Sequence, residues 1–107
     1  MGFDYTAART DYVIESDKLQ QNQRRLYDAE ADLGKRDALL EMSHEVQQGS
    51  NDKARKALFV AAREVDAEIQ GLEKRISGLK ESVAIGKVMV HIFDKDMAYC
   101  IATAGAD

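Results

Sequence analysis

Leucines recur every seven residues in the first half of the chain, at Leu19, Leu26, Leu33 and Leu40. A second apolar row with the same spacing lies in the second half, at Leu58, Val65, Leu72 and Leu79. A seven-residue repeat is typical of helices that pack as a coiled coil, whereas strands alternate every two residues. The pattern predicts two long helices, over about residues 6–46 and 52–84, joined by a turn at 47–51.

The two rows can pair with each other if the chain folds back at Gly49. Leu40 would then face Leu58, and Leu19 would face Leu79, in a single register over four heptads. Gly49 can adopt the positive φ that commonly ends a helix. The sequence therefore predicts a mainly α fold, a long antiparallel coiled-coil helical hairpin within one domain of 107 residues.

The C-terminal foot, residues 85–107, is open to two interpretations. Two runs rich in β-branched residues, 86–93 and 97–103, flank a polar turn, which favours a short β-hairpin. The alternative is an all-α fold in which the second helix continues, because Tyr5 would then face Phe93 in the same register. The β-hairpin is the preferred prediction.

In either interpretation, both faces of the foot are apolar. Two strands alone are only marginally stable in water, so the segment needs a cover. The base of the coiled coil, a second copy of the chain or the sheet edge of a partner could provide it. We therefore predict a homo-oligomer that forms through residues 85–104.

The amino-acid composition limits which classes of partner and which cellular compartment are expected for this chain. The formal net charge is -4, which makes nucleic acid an improbable primary partner and does not favour an anionic membrane. No apolar run approaches the ~20 residues of a transmembrane helix. Cys100 is the single cysteine, so no intramolecular disulfide can form, and a cytoplasmic location is predicted.

Catalytic and cofactor motifs are sparse. His44 and His91 lie in different regions, and the chain has no glycine-rich phosphate loop. One cluster near the turn could bind a divalent ion, although a solvated helix end explains it better: Glu41, His44, Glu45 and Asp52. We predict that the chain is not an enzyme and has no cofactor or metal.

The start of the second helix carries the residues predicted to bind a partner. Four of them are basic and can contact phosphates or balance nearby carboxylates: Lys53, Arg55, Lys56 and Arg63. Phe59 lies beside the leucine seam, where it can be a docking anchor or can pack against the first helix. Asp52 completes the predicted partner-binding set.

The same region is similar to the coiled coil of the Gre transcript-cleavage factors. The resemblance rests on 51–64, with an acidic residue at Asp52 and an Ala-Ala-Arg-Glu run at 61–64. It extends to the next heptads and to two runs similar to the first strands of that family's C-terminal domain, at 69–76, 88–92 and 99–101. Those factors insert a helical finger into the secondary channel of bacterial RNA polymerase, so the resemblance implies that partner.

The sequence departs from the Gre pattern at the turn. The family carries two acidic residues three positions apart, which hold the catalytic magnesium, whereas here Asp52 is preceded at that distance by Gly49. The resemblance therefore implies a protein that binds and obstructs or modulates the polymerase and does not stimulate transcript cleavage well.

The leading functional hypothesis is a non-enzymatic interaction protein that regulates a larger macromolecular machine, with transcription by RNA polymerase as the most specific case. The alternative is a homo-oligomer that binds a nucleotide-like ligand between protomers, in the manner of a phage-type inhibitor or sponge. In that alternative the pocket would be lined by Arg55, Lys56, Phe59 and Arg63.

Overall fold

The computed structural model describes residues 4–104, which are almost entirely helical. Four helices follow one another: α1 (Tyr5–Glu41), α2 (His44–Gln47), α3 (Asp52–Val65) and α4 (Ala67–Ala104). The predicted mainly α fold is confirmed. The predicted C-terminal β-hairpin is wrong, because 87–103 lies within α4 and residues 4–104 contain no strand.

The chain divides into two compact units. We call residues 25–78 the turn unit; it contains the second part of α1, then α2, α3 and the start of α4. We call the described residues 4–24 and 79–104 the terminal unit; it contains the start of α1 and the rest of α4.

The heptad positions line the interior of each unit. In the turn unit, the buried side chains are Ala29, Val46, Ala62, Ile69 and Ile76. In the terminal unit, they are Ala8, Val83 and Cys100. The leucines of the predicted rows are half-buried, and five of the buried residues interleave with those rows at heptad spacing: Ala29, Ala62, Ile69, Ile76 and Val83. Cys100 belongs to the foot that the sequence predicts as a strand, so its burial on a helical face was not predicted.

The connection around residue 49 is more elaborate than the predicted turn. α1 ends at Glu41, and the Ser43 hydroxyl accepts a hydrogen bond from the Val46 N–H at 3.4 Å to begin α2. Gly49 does not adopt a positive φ, contrary to expectation. It is required for space instead, because a Cβ there would lie 2.7 Å from the backbone nitrogen of Arg55.

The second predicted helix is interrupted at Asp66. Its backbone is extended (φ -80, ψ 109), and its carboxylate accepts a hydrogen bond from the Ile69 N–H at 3.0 Å, so that Asp66 caps α4. The interruption leaves Val65 83% exposed, although the heptad pattern predicts it in the core. Neither Gly nor Pro marks this break, which is why the sequence pattern runs straight through it.

The register of pairing also differs from the predicted one. In the terminal unit, Leu19 Cδ1 lies 3.2 Å from the place that a Gly86 Cβ would occupy, whereas the predicted neighbour of Leu19 is Leu79. In the turn unit, Arg36 Nε lies 3.5 Å from Glu68 Oε2. Both contacts involve α4 and correspond to a shift of about one heptad. Such a shift keeps the same faces in contact, so periodicity alone cannot detect it. Before the interruption the pairing stays close to the prediction, since Asp37 of α1 pairs with Arg63 of α3.

Candidate protein-binding site at the turn

The first turn of α3 presents charged side chains to solvent. Asn51 begins the helix, since its Oδ1 accepts a hydrogen bond from the Ala54 N–H at 2.8 Å. Asp52 and Lys53 follow directly and are exposed, and Lys56 is exposed one turn later. The negative Asp52 side chain is favoured at this end of the helix by the helix dipole.

Arg55 ties the turn to α3. Its Nη2 lies 2.9 Å from Asp52 Oδ1, and its Nη1 donates a hydrogen bond to the Gly49 carbonyl at 3.3 Å. The pair with Asp52 is exposed on the carboxylate side and contributes little to stability by itself. The contact with Gly49 has the larger structural consequence, since it fixes the turn backbone against the helix.

A depression of about 420 Å³ lies between the end of α1, α2 and α3. Four of the six predicted partner-binding residues line it: Asp52, Arg55, Lys56 and Phe59. Glu41, Val46 and Gln47 complete the lining, and the Gln47 side-chain amide donates a hydrogen bond to the Glu41 carbonyl at 2.8 Å. The turn thus carries a concave surface with apolar and charged parts.

Phe59 is half-buried and lines the depression. The fully buried Val46 lines it as well. The ring is therefore held in place and still accessible from outside, a combination that suits a contact residue.

Arg63 lies outside the depression, and two carboxylates hold it. Its Nε donates a hydrogen bond to Asp37 Oδ1 at 2.8 Å, and its Nη1 pairs with Glu73. The hydrogen bond that Arg63 donates to Asp37 is the main cause that raises the pKa of Arg63 above its usual value. Arg63 thereby links α3 to both α1 and α4, while its role in ligand binding stays a prediction.

A second ion-pair cluster surrounds the interruption at Asp66. Arg36 Nη2 lies 2.9 Å from Asp66 Oδ2, and the Asp66 side chain is only 10% exposed. The Ile69 N–H, followed by Arg36, lowers the pKa of Asp66. The sequence analysis did not find this cluster. The available signal was Arg36 itself, a charged residue at a seam position that requires a carboxylate partner.

The cap at Asp66 makes a pH-dependent contribution to stability. Because its pKa is lower in the folded chain than the ordinary 3.8, this contribution is complete above that value and disappears as the pH falls through the folded pKa.

Asp66→Asn keeps a capping oxygen and loses the charge. At pH 7 we expect it to lower the melting temperature by roughly 5 °C. The difference from wild type, followed by circular dichroism, should shrink between pH 4 and pH 2. A constant difference would show that the Asp66 charge is unimportant.

The predicted metal-binding alternative gains no geometric basis. Across residues 4–104, no three His, Cys, Asp or Glu side chains lie close enough together to hold a metal ion. His44 Nε2 instead lies 3.0 Å from the side-chain amide of Gln48. Within the described range, no helix is long and apolar enough to cross a bilayer.

Comparison with known proteins places the chain in no group. No protein-family model, no curated protein and no solved structure matches it. The resemblance to the Gre factors thus rests on sequence pattern alone. Its C-terminal part is corrected by the structure, since 88–92 and 99–101, which resemble strands of that family, are helical here.

Proposed function

We propose that this chain is a non-enzymatic interaction protein whose turn unit docks on a larger protein assembly and modulates it. The supporting observation is the depression beside α3, where three predicted contact residues, Asp52, Arg55 and Lys56, lie around the half-buried ring of a fourth, Phe59. In many protein interfaces a few aromatic side chains contribute much of the binding energy, and the contacts around those side chains exclude water.

The chemistry of the depression favours a protein partner. Val46 and Phe59 supply an apolar surface, and Glu41, Asp52 and Lys56 supply charges of both signs at its edge. A partner side chain with an apolar body and a polar end would match this combination. Mixed charge at the rim would favour one orientation of the partner over others.

The turn unit is also preorganised for binding. The ion pairs of Arg63 with Asp37 and of Arg36 with Asp66 connect α1 to the chain on both sides of the interruption. Arg55 fixes the turn through the Gly49 carbonyl. A surface that is already ordered loses less conformational entropy when it binds, so more of its contact energy appears as affinity.

RNA polymerase is the most specific partner that we propose, with the turn unit entering the secondary channel. This proposal depends on the sequence resemblance to the Gre factors and on the exposed position of Asp52 at the turn. Gly49 stands where the second catalytic carboxylate of that family would be. The expected activity is therefore obstruction or modulation of the polymerase, with little stimulation of transcript cleavage.

Binding to purified bacterial RNA polymerase tests this function. We expect Phe59→Ala to weaken binding by about 10-fold, or roughly 1–2 kcal/mol, because it removes the aromatic anchor. Tyr27→Ala is the matched control, an aromatic residue of the same unit that is 73% exposed and outside the depression. It should leave the affinity unchanged. Titration by biolayer interferometry measures both variants.

The outcomes separate the specific proposal from the general one. If wild type does not bind the polymerase, the secondary-channel proposal fails. Capture from a cell lysate with the same two variants then tests the broader class: a protein retained by wild type and Tyr27→Ala and lost with Phe59→Ala supports the docking site. Equal retention by all three would refute it.

A further inference from the structure

One face of α4 in the terminal unit is apolar although it is exposed. Its large side chains are between 44% and 57% exposed and follow one helical stripe: Ile85, Val88, Ile92 and Tyr99. Spacings of three, four and seven residues place them on a single side of the helix. We call this set the outer stripe.

The outer stripe points away from the interior of the terminal unit. Val83 and Cys100 are buried, and Gly86 approaches Leu19 of α1. Ile85 lies two residues beyond Val83, which corresponds to a rotation of roughly 200° around the helix. The stripe is therefore a second apolar face of α4, separate from the face that packs on α1.

The composition of the outer stripe differs from that of a solvated helix surface. Small exposed residues flank the stripe on one side, at Ala84, Ala98 and Ala102, with the exposed His91 in the same row. Lys95 is the charged residue in its path. A soluble helix normally carries polar residues opposite its buried face, so this composition indicates a surface that another molecule covers.

We propose that the outer stripe binds the outer stripe of a second copy of this chain, antiparallel, with a two-fold axis close to Ile92. The same surface then serves both protomers, as in most homodimers. Ile85 of one copy packs near Tyr99 of the other, and Ile92 packs against Ile92 at the axis.

The area of the stripe is sufficient for such a pair. Four large side chains at about half exposure, together with three alanines along one edge of the stripe, present roughly 500 Å² per copy. Two copies would bury on the order of 1,000 Å², the lower limit of a specific interface. A second copy also explains why the whole length of the stripe is apolar, since an antiparallel pair uses both of its ends equally.

Charge selects the antiparallel orientation. A parallel pair would place Lys95 beside Lys95 of the other copy, which is repulsive in an apolar contact. In the antiparallel pair, Lys95 lies near Val88 of the other copy and can extend its ammonium group to water along the apolar surface. Antiparallel helices also bring opposite ends of their dipoles together.

Light scattering coupled to size-exclusion chromatography tests the dimer. Wild type should have twice the chain mass of 11.9 kDa at micromolar concentration. Ile92→Glu should weaken association at least ~100-fold, because it places two unpaired charges at the axis. Ile14→Glu is the matched control: the same substitution on α1 of the same unit, at 46% exposure against 44% for Ile92. It should remain dimeric, and circular dichroism should show that both variants keep their helices.

Three results would overturn the dimer. Wild type could be monomeric at 100 μM, which would assign the stripe to a different partner. Both variants could remain associated, or both could dissociate equally, which would place the contact elsewhere.

Cross-linking tests the orientation in a Cys100→Ala background. Ile92→Cys should form a disulfide-linked dimer with itself, since the axis passes close to this residue. Ile85→Cys should not, because its counterpart lies far away at the other end of the stripe. Self-cross-linking of both variants at similar rates would show a parallel pair and overturn the proposed geometry.

Discussion

Replacing Ile69 with Asp is expected to unfold the turn unit. Ile69 is fully buried beside the Asp66 cap, so the substitution removes a large apolar side chain and buries an unpaired carboxylate. We expect a loss of at least about 4 kcal/mol, which is most of the stability of a small domain. Urea denaturation followed by circular dichroism at the helical minimum measures it.

Val65→Asp is the control for this prediction. The heptad pattern places Val65 in the core, like Ile69, whereas the structure leaves it 83% exposed beside the interruption. We therefore expect a change within about 0.5 kcal/mol. If Val65→Asp were as destabilising as Ile69→Asp, the helix would continue through Asp66 and the described interruption would be wrong.

Gly86→Leu is expected to destabilise the terminal unit by about 1–3 kcal/mol. A Cβ at this position would already lie 3.2 Å from Leu19 Cδ1 and 3.9 Å from Leu19 Cα, so a larger side chain must separate the two helices. The cost arises although Leu favours helix more than Gly does. Urea denaturation in the same assay gives the free energy of unfolding.

Gly78→Leu is the matched substitution for comparison. A Cβ on Gly78 meets nothing within 4 Å, so only the helix propensity changes. We expect a gain of roughly 0.5–1 kcal/mol. Equal effects at the two glycines would mean that α1 does not approach Gly86 and that the register is incorrect.

Much of the helical packing can be predicted from the sequence, because seam residues such as Ala29, Ile76 and Val83 repeat at the heptad spacing and are buried. The register in which α1 pairs with α4 cannot be predicted in this way. A slide of α4 by one heptad exchanges Leu79 for Gly86 opposite Leu19 and keeps the same face of α4 inward. Selecting between the two registers depends on close packing at individual positions, which a periodic pattern does not contain.

The C-terminal error has a different physical origin. Val88, Val90 and Ile92 have side chains that suit strands, but β propensity depends strongly on context. In the structure, the seam of α4 continues to the buried Cys100, and the start of α1 contributes the buried Ala8 to the same unit. Tertiary burial of a helical face therefore outweighs the local preference.

The sequence indicates part of the lining of the depression, while binding there stays a prediction. The depression contains Asp52, Arg55, Lys56 and Phe59, which lie close in sequence on one stretch of helix. Arg63 is linked to Glu73 instead, a contact that requires the chain to change direction at Asp66. Since no sequence signal other than the capping preference of Asp marks that break, neither the contact nor the cluster around Asp66 could be found from periodicity.

A disulfide within one chain tests the central claim, that α1 packs on α4 of the same molecule with Leu19 against Gly86. In a Cys100→Ala background, the pair Leu19→Cys and Gly86→Cys should oxidise to an intramolecular disulfide, seen as a faster-migrating monomer on a non-reducing gel. The pair Leu19→Cys and Leu79→Cys should not. Efficient closure of the second pair, with none of the first, would contradict the account.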